Sequence, residues 1–310
     1  MPIVISTCVL ITYEISSRAI ERWVVEEIVG FIPALKGEAF SSTFRNPRER
    51  TAFAPGNETN REMRVAIVGA GTMGEWFAEV TDGWMEPLFV DAEFDRAAEL
   101  ADRYDGTARH VEELEQVPVV CTAVPIPATP SVIATVGKQA DQAVIDLSGT
   151  MAAPIEAMAE HAANRERISL HPLFAPNHAP GNIAAVVEDP GDMWSTLAER
   201  LDTRGYDVFV TDGETHDRAM ETVQAKVHAA IMAFGLAADP VDERFHTPIS
   251  RELRQLTDTV LSGSPHVYAD IQQAFDGADD IAAAAEAIAS ADRATVEALY
   301  REAGNRTDSE

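Results

Sequence analysis

Val65-Ala66-Ile67-Val68-Gly69-Ala70-Gly71-Thr72-Met73-Gly74 is the stretch that decides the fold. Arg64–Val68 reads as a short apolar strand and Thr72–Val80 as a helix, with G-x-G-x-x-G joining them. In such a turn Gly69 permits the tight bend. Gly71, lacking a Cβ, lets the backbone approach a pyrophosphate, and Gly74 lets the helix pack closely on the strand. The opening helix then offers free N–H groups and a partial positive charge to the phosphates, so Gly69, Ala70, Gly71, Thr72, Met73 and Gly74 form the candidate nucleotide loop.

The next strand supports that reading. Leu88-Phe89-Val90 ends at Asp91, 20 residues after Gly71. A carboxylate there accepts hydrogen bonds from an adenosine ribose and repels a 2′-phosphate, which favours NAD over NADP. Arg96, close by in sequence, weakens that preference without reversing it. The alternation continues: strands are predicted at Pro87–Val90, Val117–Val124, Ala143–Leu147, Ile168–Leu170, Ile183–Val187 and Asp207–Val210. Helices are predicted at Arg96–Tyr104, Thr129–Val136 and Asp192–Arg204. This pattern predicts a parallel sheet covered on both faces. After Asp212 the strand pattern ends. Helical spacing at Val223, Val227, Ala230, Ile231 and Phe234, then helices over Ser250–Leu261, Pro265–Phe275 and Asp279–Arg301, predict an all-helical C-terminal domain. Gly304–Glu310 reads as a frayed tail.

Composition narrows the partners. The 310 residues carry a net charge of −27, a surface that repels phosphate backbones and anionic lipid, so neither nucleic acid nor a membrane is expected. Only Lys36, Lys138 and Lys226 are lysines, against a large carboxylate surplus; this reads as halophilic adaptation, with self-repulsion screened by concentrated salt. Cys8 and Cys121 have no metal or disulfide spacing, and no metal is expected; Cys121 reads as a buried small hydrophobe. No apolar run reaches the roughly 18 residues of a membrane span, and the start lacks a secretory pattern, so the chain reads as cytoplasmic. Residues 1–62 hold 8 acidic and 7 basic side chains, unlike the remainder with 43 and 17. They read as an extension, linker-like over Ser41–Glu62, with either a small helical segment around Ser17–Leu35 or a natural start at Met63. The expected division is 1–62, 63–212 and 213–310.

Candidates for chemistry gather at the sheet's C-terminal rim, where open α/β sheets bind ligands. Ser148 follows one predicted strand, in Asp146-Leu147-Ser148-Gly149-Thr150. His171 follows another, on a loop held by Pro172 and Pro176; a His of near-neutral pKa there can take a proton from an alcohol. Gln224 and His228, spaced i, i+4, flank the apolar stripe of the first long helix. Arg251 can hold a carboxylate with two parallel hydrogen bonds. Taken alone, a surface pair, a core His and an ordinary ion pair are the structural alternatives.

Together these segments resemble the prephenate dehydrogenase family over most of Arg64–Ala303. The resemblance is carried by the glycine turn, Val124-Pro125-Ile126, Asp146-Leu147-Ser148 and Leu170-His171-Pro172-Leu173-Phe174-Ala175-Pro176. It continues through Thr215-His216-Asp217-Arg218, Gln224-Ala225-Lys226-Val227-His228, Thr247-Pro248-Ile249-Ser250-Arg251 and Tyr268-Ala269-Asp270-Ile271. It implies a Rossmann-type doubly wound sheet domain followed by a helical dimerisation domain, hence a homodimer. It also implies NAD-linked oxidative decarboxylation of prephenate to 4-hydroxyphenylpyruvate, on the route to tyrosine. By that analogy Val124, Pro125 and Ile126 join the cofactor site and His171 accepts the ring hydroxyl's proton. Arg251 holds a substrate carboxylate, and Gln224 and His228 line the pocket. The family's usual substrate-touching Ser falls at Gly149 here, leaving Ser148 to serve. Three rivals stay open: an arogenate dehydrogenase, a β-hydroxyacid-type dehydrogenase using Lys226, and a non-catalytic NAD sensor.

Overall fold

Parallel strands buried on both faces must be apolar throughout, and Val65–Val68, Phe89–Val90, Val119–Cys121 and Ala143–Ile145 are almost fully shielded from solvent. In the computed structural model, which describes residues 63–307, they lie in one eight-stranded sheet. The strands are β1 (Met63–Val68), β2 (Met85–Val90), β3 (Thr107–Arg109), β4 (Val117–Thr122), β5 (Ala140–Asp146), β6 (Glu166–Pro172), β7 (Asn182–Glu188) and β8 (Asp207–Val210), in the order β3-β2-β1-β4-β5-β6-β7-β8. The order reverses between β1 and β4, which opens a crevice at their C-terminal ends. Readings that fall on residues 1–62, including Cys8, the linker and the helical segment, lie outside the described residues.

The sheet is mostly, not wholly, parallel: β7 runs antiparallel to β6. Nine residues separate these strands, whereas a parallel crossover needs a dozen or more. The parallel doubly wound sheet expected from the sequence is present, with this one antiparallel pair as the exception. His171 lies within β6, opposite Ala184, and not on the loop that follows.

Helices α1 (Thr72–Thr81), α2 (Phe94–Arg103), α3 (Thr129–Val136), α4 (Ala152–His161) and α5 (Asp192–Thr203) cover the sheet. Two of them are capped by distant side chains. Glu166 on β6 accepts the N–H groups of Gly191, Met193 and Trp194 at the start of α5. Asp217 does the same for Met151 and Ala152 at α4. Cys121 is buried, and burial pushes its thiol well above the usual range, so it is an inert apolar filler as expected.

Beyond β8 every described element is helical: α6 (Gly213–Met220), a π-helical segment at Glu221–Lys226, α7 (Val227–Ala237), α8 (Pro248–Leu261), α9 (Pro265–Ala274), α10 (Gly277–Ser290) and α11 (Arg293–Thr307), with a short 3₁₀ turn at Glu243–Phe245. The helix expected over Asp279–Arg301 is two helices. Asp292 accepts the N–H of Thr295 at 2.9 Å and starts a new helix there, which runs through Gly304 where a frayed tail was expected. No described helix is long and apolar enough to cross a membrane.

Candidate active site

The glycine turn has the backbone geometry its sequence demands. Gly69 sits at φ +109°, where a side chain is strained, and a Cβ there would collide with the Ala123 carbonyl. A Cβ on Gly74 would collide with the Gly69 carbonyl, while the space around Gly71 is open. Gly71 caps α1 without a side-chain acceptor, and the first helical bond is Glu75 N–H to Gly71 C=O. The N–H groups of Thr72, Met73 and Gly74 precede that bond, so the loop fits a diphosphate. Asp91 Oδ2 accepts the Ala70 N–H at 2.7 Å, which ties the end of β2 to the loop. Ala123 donates to Val68 at 2.8 Å, and this brings Val124, Pro125 and Ile126 to the same edge. All ten cofactor-loop candidates therefore lie along one crevice.

The second cluster surrounds His171. The ring is buried, and its Nδ1 lies 2.9 Å from His216 Nε2. His216 Nδ1 in turn lies 2.8 Å from Asp217 Oδ1. Burial first, and then the neighbouring His216, lower the His171 pKa to about 3, against the nearby Asp217 charge. The near-neutral value expected from sequence is corrected: His171 is a neutral imidazole throughout the physiological range. On its other side, Gln224 Nε2 points at His171 Nε2 from 3.4 Å. Gln224 lies in the π-helical segment, a distortion that recurs at functional sites.

Position 149 borders the same nitrogen. A Cβ on Gly149 would sit 3.7 Å from His171 Nε2 and 3.1 Å from Ile126 Cδ1, so the cofactor edge and the imidazole meet there. Ser148 is buried beside them and turns its Oγ to Thr150, accepting that residue's N–H at 3.3 Å. Its own N–H goes to Asp146 Oδ2 at 3.1 Å. His228 packs edge-on against Tyr268, ring centroids 4.8 Å apart. Gln224 Oε1 and His228 Nδ1 are buried without a partner among the described residues. Arg251, in the first turn of α8, is exposed and makes no side-chain hydrogen bond or ion pair with the described residues; no described contact joins it to His171. Lys226 is engaged by Asp280 at 2.6 Å and Glu221 at 3.3 Å.

A cleft of about 670 Å³ opens beside these groups, lined by Ile126, Thr150, Asp217, Arg218 and Glu221 among others. Arg218 is its one basic lining residue. Sequence reasoning quoted His216, Asp217 and Arg218 but gave them no role, because nothing in a linear His-Asp-Arg run says that it faces β6.

A glycine turn at a sheet switch point, with a buried neutral imidazole beside it, defines a nucleotide-dependent α/β dehydrogenase. Residues 91–188 match the model of the prephenate dehydrogenase nucleotide-binding domain. A curated 4-amino-4-deoxyprephenate dehydrogenase from Streptomyces pristinaespiralis is 28% identical over 230 residues, covering 69% of this chain and 78% of that protein. The structure of prephenate dehydrogenase from A. aeolicus, in complex with hydroxyphenyl propionate and NAD+, shares the fold at TM-score 0.58 and 15% identity. That match covers 80% of this chain and 98% of the other. Synechocystis arogenate dehydrogenase shares it at TM-score 0.50 and 16% identity, over 79% and 99%.

Proposed function

We propose that the chain is an NAD-dependent enzyme that oxidatively decarboxylates prephenate to 4-hydroxyphenylpyruvate, a step toward tyrosine. The observation that carries this reading is the buried His171 imidazole, which faces the edge formed by Gly149 and Ile126. NAD, when bound, supplies the hydride acceptor, and the Asp91 carboxylate at the end of β2 supports NAD over NADP. His171 Nε2 accepts the proton of the ring hydroxyl as hydride leaves the same carbon. The bond to the ring carboxylate then breaks, CO₂ departs, and its electron pair restores the aromatic ring. The phenolate oxygen so formed takes the proton back from His171. Gln224 and His228 offer their unpartnered atoms to the substrate, and Arg218 or Arg251 holds a carboxylate. Ser148 acts, in this reading, by setting the loop around Gly149.

A second reading is favoured by the Streptomyces relative: the ring bears an amino group in place of the hydroxyl. An amine donates one N–H to His171 Nε2 and has another for Gln224 Oε1, which a hydroxyl does not. The β-hydroxyacid reading loses support because both Asp280 and Glu221 engage the Lys226 ammonium.

Further parts of the reading rest on the chain's surface. Leu236, Phe245, Ile249 and Tyr300 are all at least 75% exposed, and they support a homodimer through residues 213–310, with residues 63–212 as the nucleotide domain. The acidic, Lys-poor composition supports a cytoplasmic enzyme of concentrated salt. The test is NADH absorbance in high salt, with NAD and, separately, prephenate, arogenate and 4-amino-4-deoxyprephenate. Turnover of prephenate above the others is expected. NAD binding without NADH from any of the three would leave the sensor reading in its place.

A further inference from the structure

A buried imidazole cannot exchange tautomers through water, so its partners decide which nitrogen carries the proton. For His171 the decision starts at Asp217. Burial pushes that carboxyl up, but hydrogen bonds from His216 and from the N–H groups of Met151 and Ala152 outweigh it and hold it below the usual range. Asp217 is therefore an ionised acceptor, and His216 Nδ1, 2.8 Å away, carries the hydrogen. Carrying its hydrogen on Nδ1, the His216 ring presents a lone pair on Nε2. His171 Nδ1, 2.9 Å from it, must donate, and this leaves the lone pair of His171 on Nε2. Gln224 reaches the same conclusion from the opposite side, because its amide nitrogen can only donate and it faces His171 Nε2.

We infer that His216 and Asp217 are positioning residues that hold His171 as the Nδ1–H tautomer, with its Nε2 lone pair turned to the substrate. The inference rests on the dehydrogenase reading above and extends it. The chain also supports the charge that His171 takes up as the substrate hydroxyl gives its proton: the Nδ1–H bond to His216 strengthens, and the Asp217 carboxylate faces the developing cation. A ring in the opposite tautomer presents N–H to the substrate and cannot act as base. Loss of such tautomer control lowers turnover by up to about 10⁴-fold in Ser-His-Asp hydrolases.

Asp217 also caps α4, so replacing it mixes positioning with folding; the test is made on His216. A glutamine carbonyl reaches about as far as an imidazole Nε2, and an asparagine carbonyl only about as far as Nδ1. His216→Gln should therefore keep kcat within roughly tenfold, whereas His216→Asn should lose on the order of 10²–10⁴-fold, with NAD affinity and substrate KM little changed in both. Equal kcat for the two variants would overturn the inference, because a merely structural role does not distinguish the reach of two amides. A second readout needs no substrate. Long-range ¹H–¹⁵N NMR of the wild-type protein at pH 7 should show His171 protonated on Nδ1 and bare on Nε2. The reverse pattern sinks the positioning chain even if the enzyme is active. The expected pattern keeps the chain standing even if none of the three substrates is turned over.

Discussion

The sheet-forming part, Met63–Val210, hides its apolar side chains on both faces of the sheet, whereas the helical part, Gly213–Thr307, leaves many of its own in water. Twelve of the sixteen exposed large apolar side chains among the described residues lie beyond residue 220. Buried apolar residues in the helical part are few: Met220, Ala225, Ala229, Ile231, Val260 and Ile271. The polar groups differ in the same direction. Asp146, Ser169 and Thr122 satisfy one another inside the sheet, while Gln224, His228 and Gln272 each keep a buried atom without a described partner. One part is complete in itself and carries the imidazole at its rim. The other leaves buried polar atoms and exposed apolar side chains without described partners, and on these the proposed ligand and dimer contacts rest.

The comparison breaks first at His171. His171→Ala should lower kcat on the order of 10²–10⁴-fold while NAD affinity, which the proposed function assigns to the loop at 69–74, stays within a factor of two. Steady-state kinetics and a dinucleotide titration check this; an active variant would return the rim His to a structural role. The helical surface should break next. Leu236→Glu with Phe245→Glu adds charge where the two side chains are 90% and 75% exposed, so the monomer fold survives but association should not. Sedimentation in high salt should show a dimer become a monomer, with Tm lower by several degrees as the partner's contribution is lost. A wild-type monomer would mean that these side chains serve something other than a second copy.

The two parts also differ in how much of them the sequence disclosed, and the reasons are physical. Strands β1, β2, β4 and β5 are buried on both faces, so their apolar runs stand out, and the glycine turn is forced by backbone sterics at Gly69 and Gly74. β3 escaped because three residues, Thr107–Arg109, are too few to show a period. α4 escaped because its N-terminal acceptor, Asp217, lies 65 and 66 residues away. The same separation hid the positioning chain: His216 and Asp217 are neighbours in sequence, but only the folded sheet brings them to His171, 45 residues earlier. The π-helical segment has no composition of its own, and Gln224, which faces the imidazole, lies within it. The β6–β7 reversal was hidden, since the predicted strands leave twelve residues between them, enough for a parallel crossover, and only the longer observed strands shorten the gap to nine.

The smallest expected effect concerns pH, and it separates two buried groups that lie in the sheet. Burial raises the Asp146 pKa to about 7 against the hydrogen bonds from Ser148, Thr122 and Ser169, so the folded chain keeps that proton after the unfolded chain has lost it near the ordinary 3.8. Between those values the folded state binds the extra proton, and stability falls as pH rises. His171 works the other way. Its folded pKa of about 3 lies below the unfolded 6.5, so the unfolded state binds the extra proton and stability falls as pH drops. Each group alone contributes a slope of about 1.4 kcal/mol per pH unit, and between pH 3.8 and 6.5 the two slopes largely cancel. Variants should uncover them singly. The Tm of Asp146→Asn relative to wild type should rise as pH goes from about 4.5 to 6.5, and that of His171→Asn should rise as pH goes the other way. Calorimetry in constant high salt reads both trends. Parallel curves for the three proteins would mean that neither group titrates differently on unfolding, and would remove the burial of His171 as the reason for its neutral state. A helical-surface variant such as Leu236→Glu should track wild type in shape, because its charge is exposed in both states.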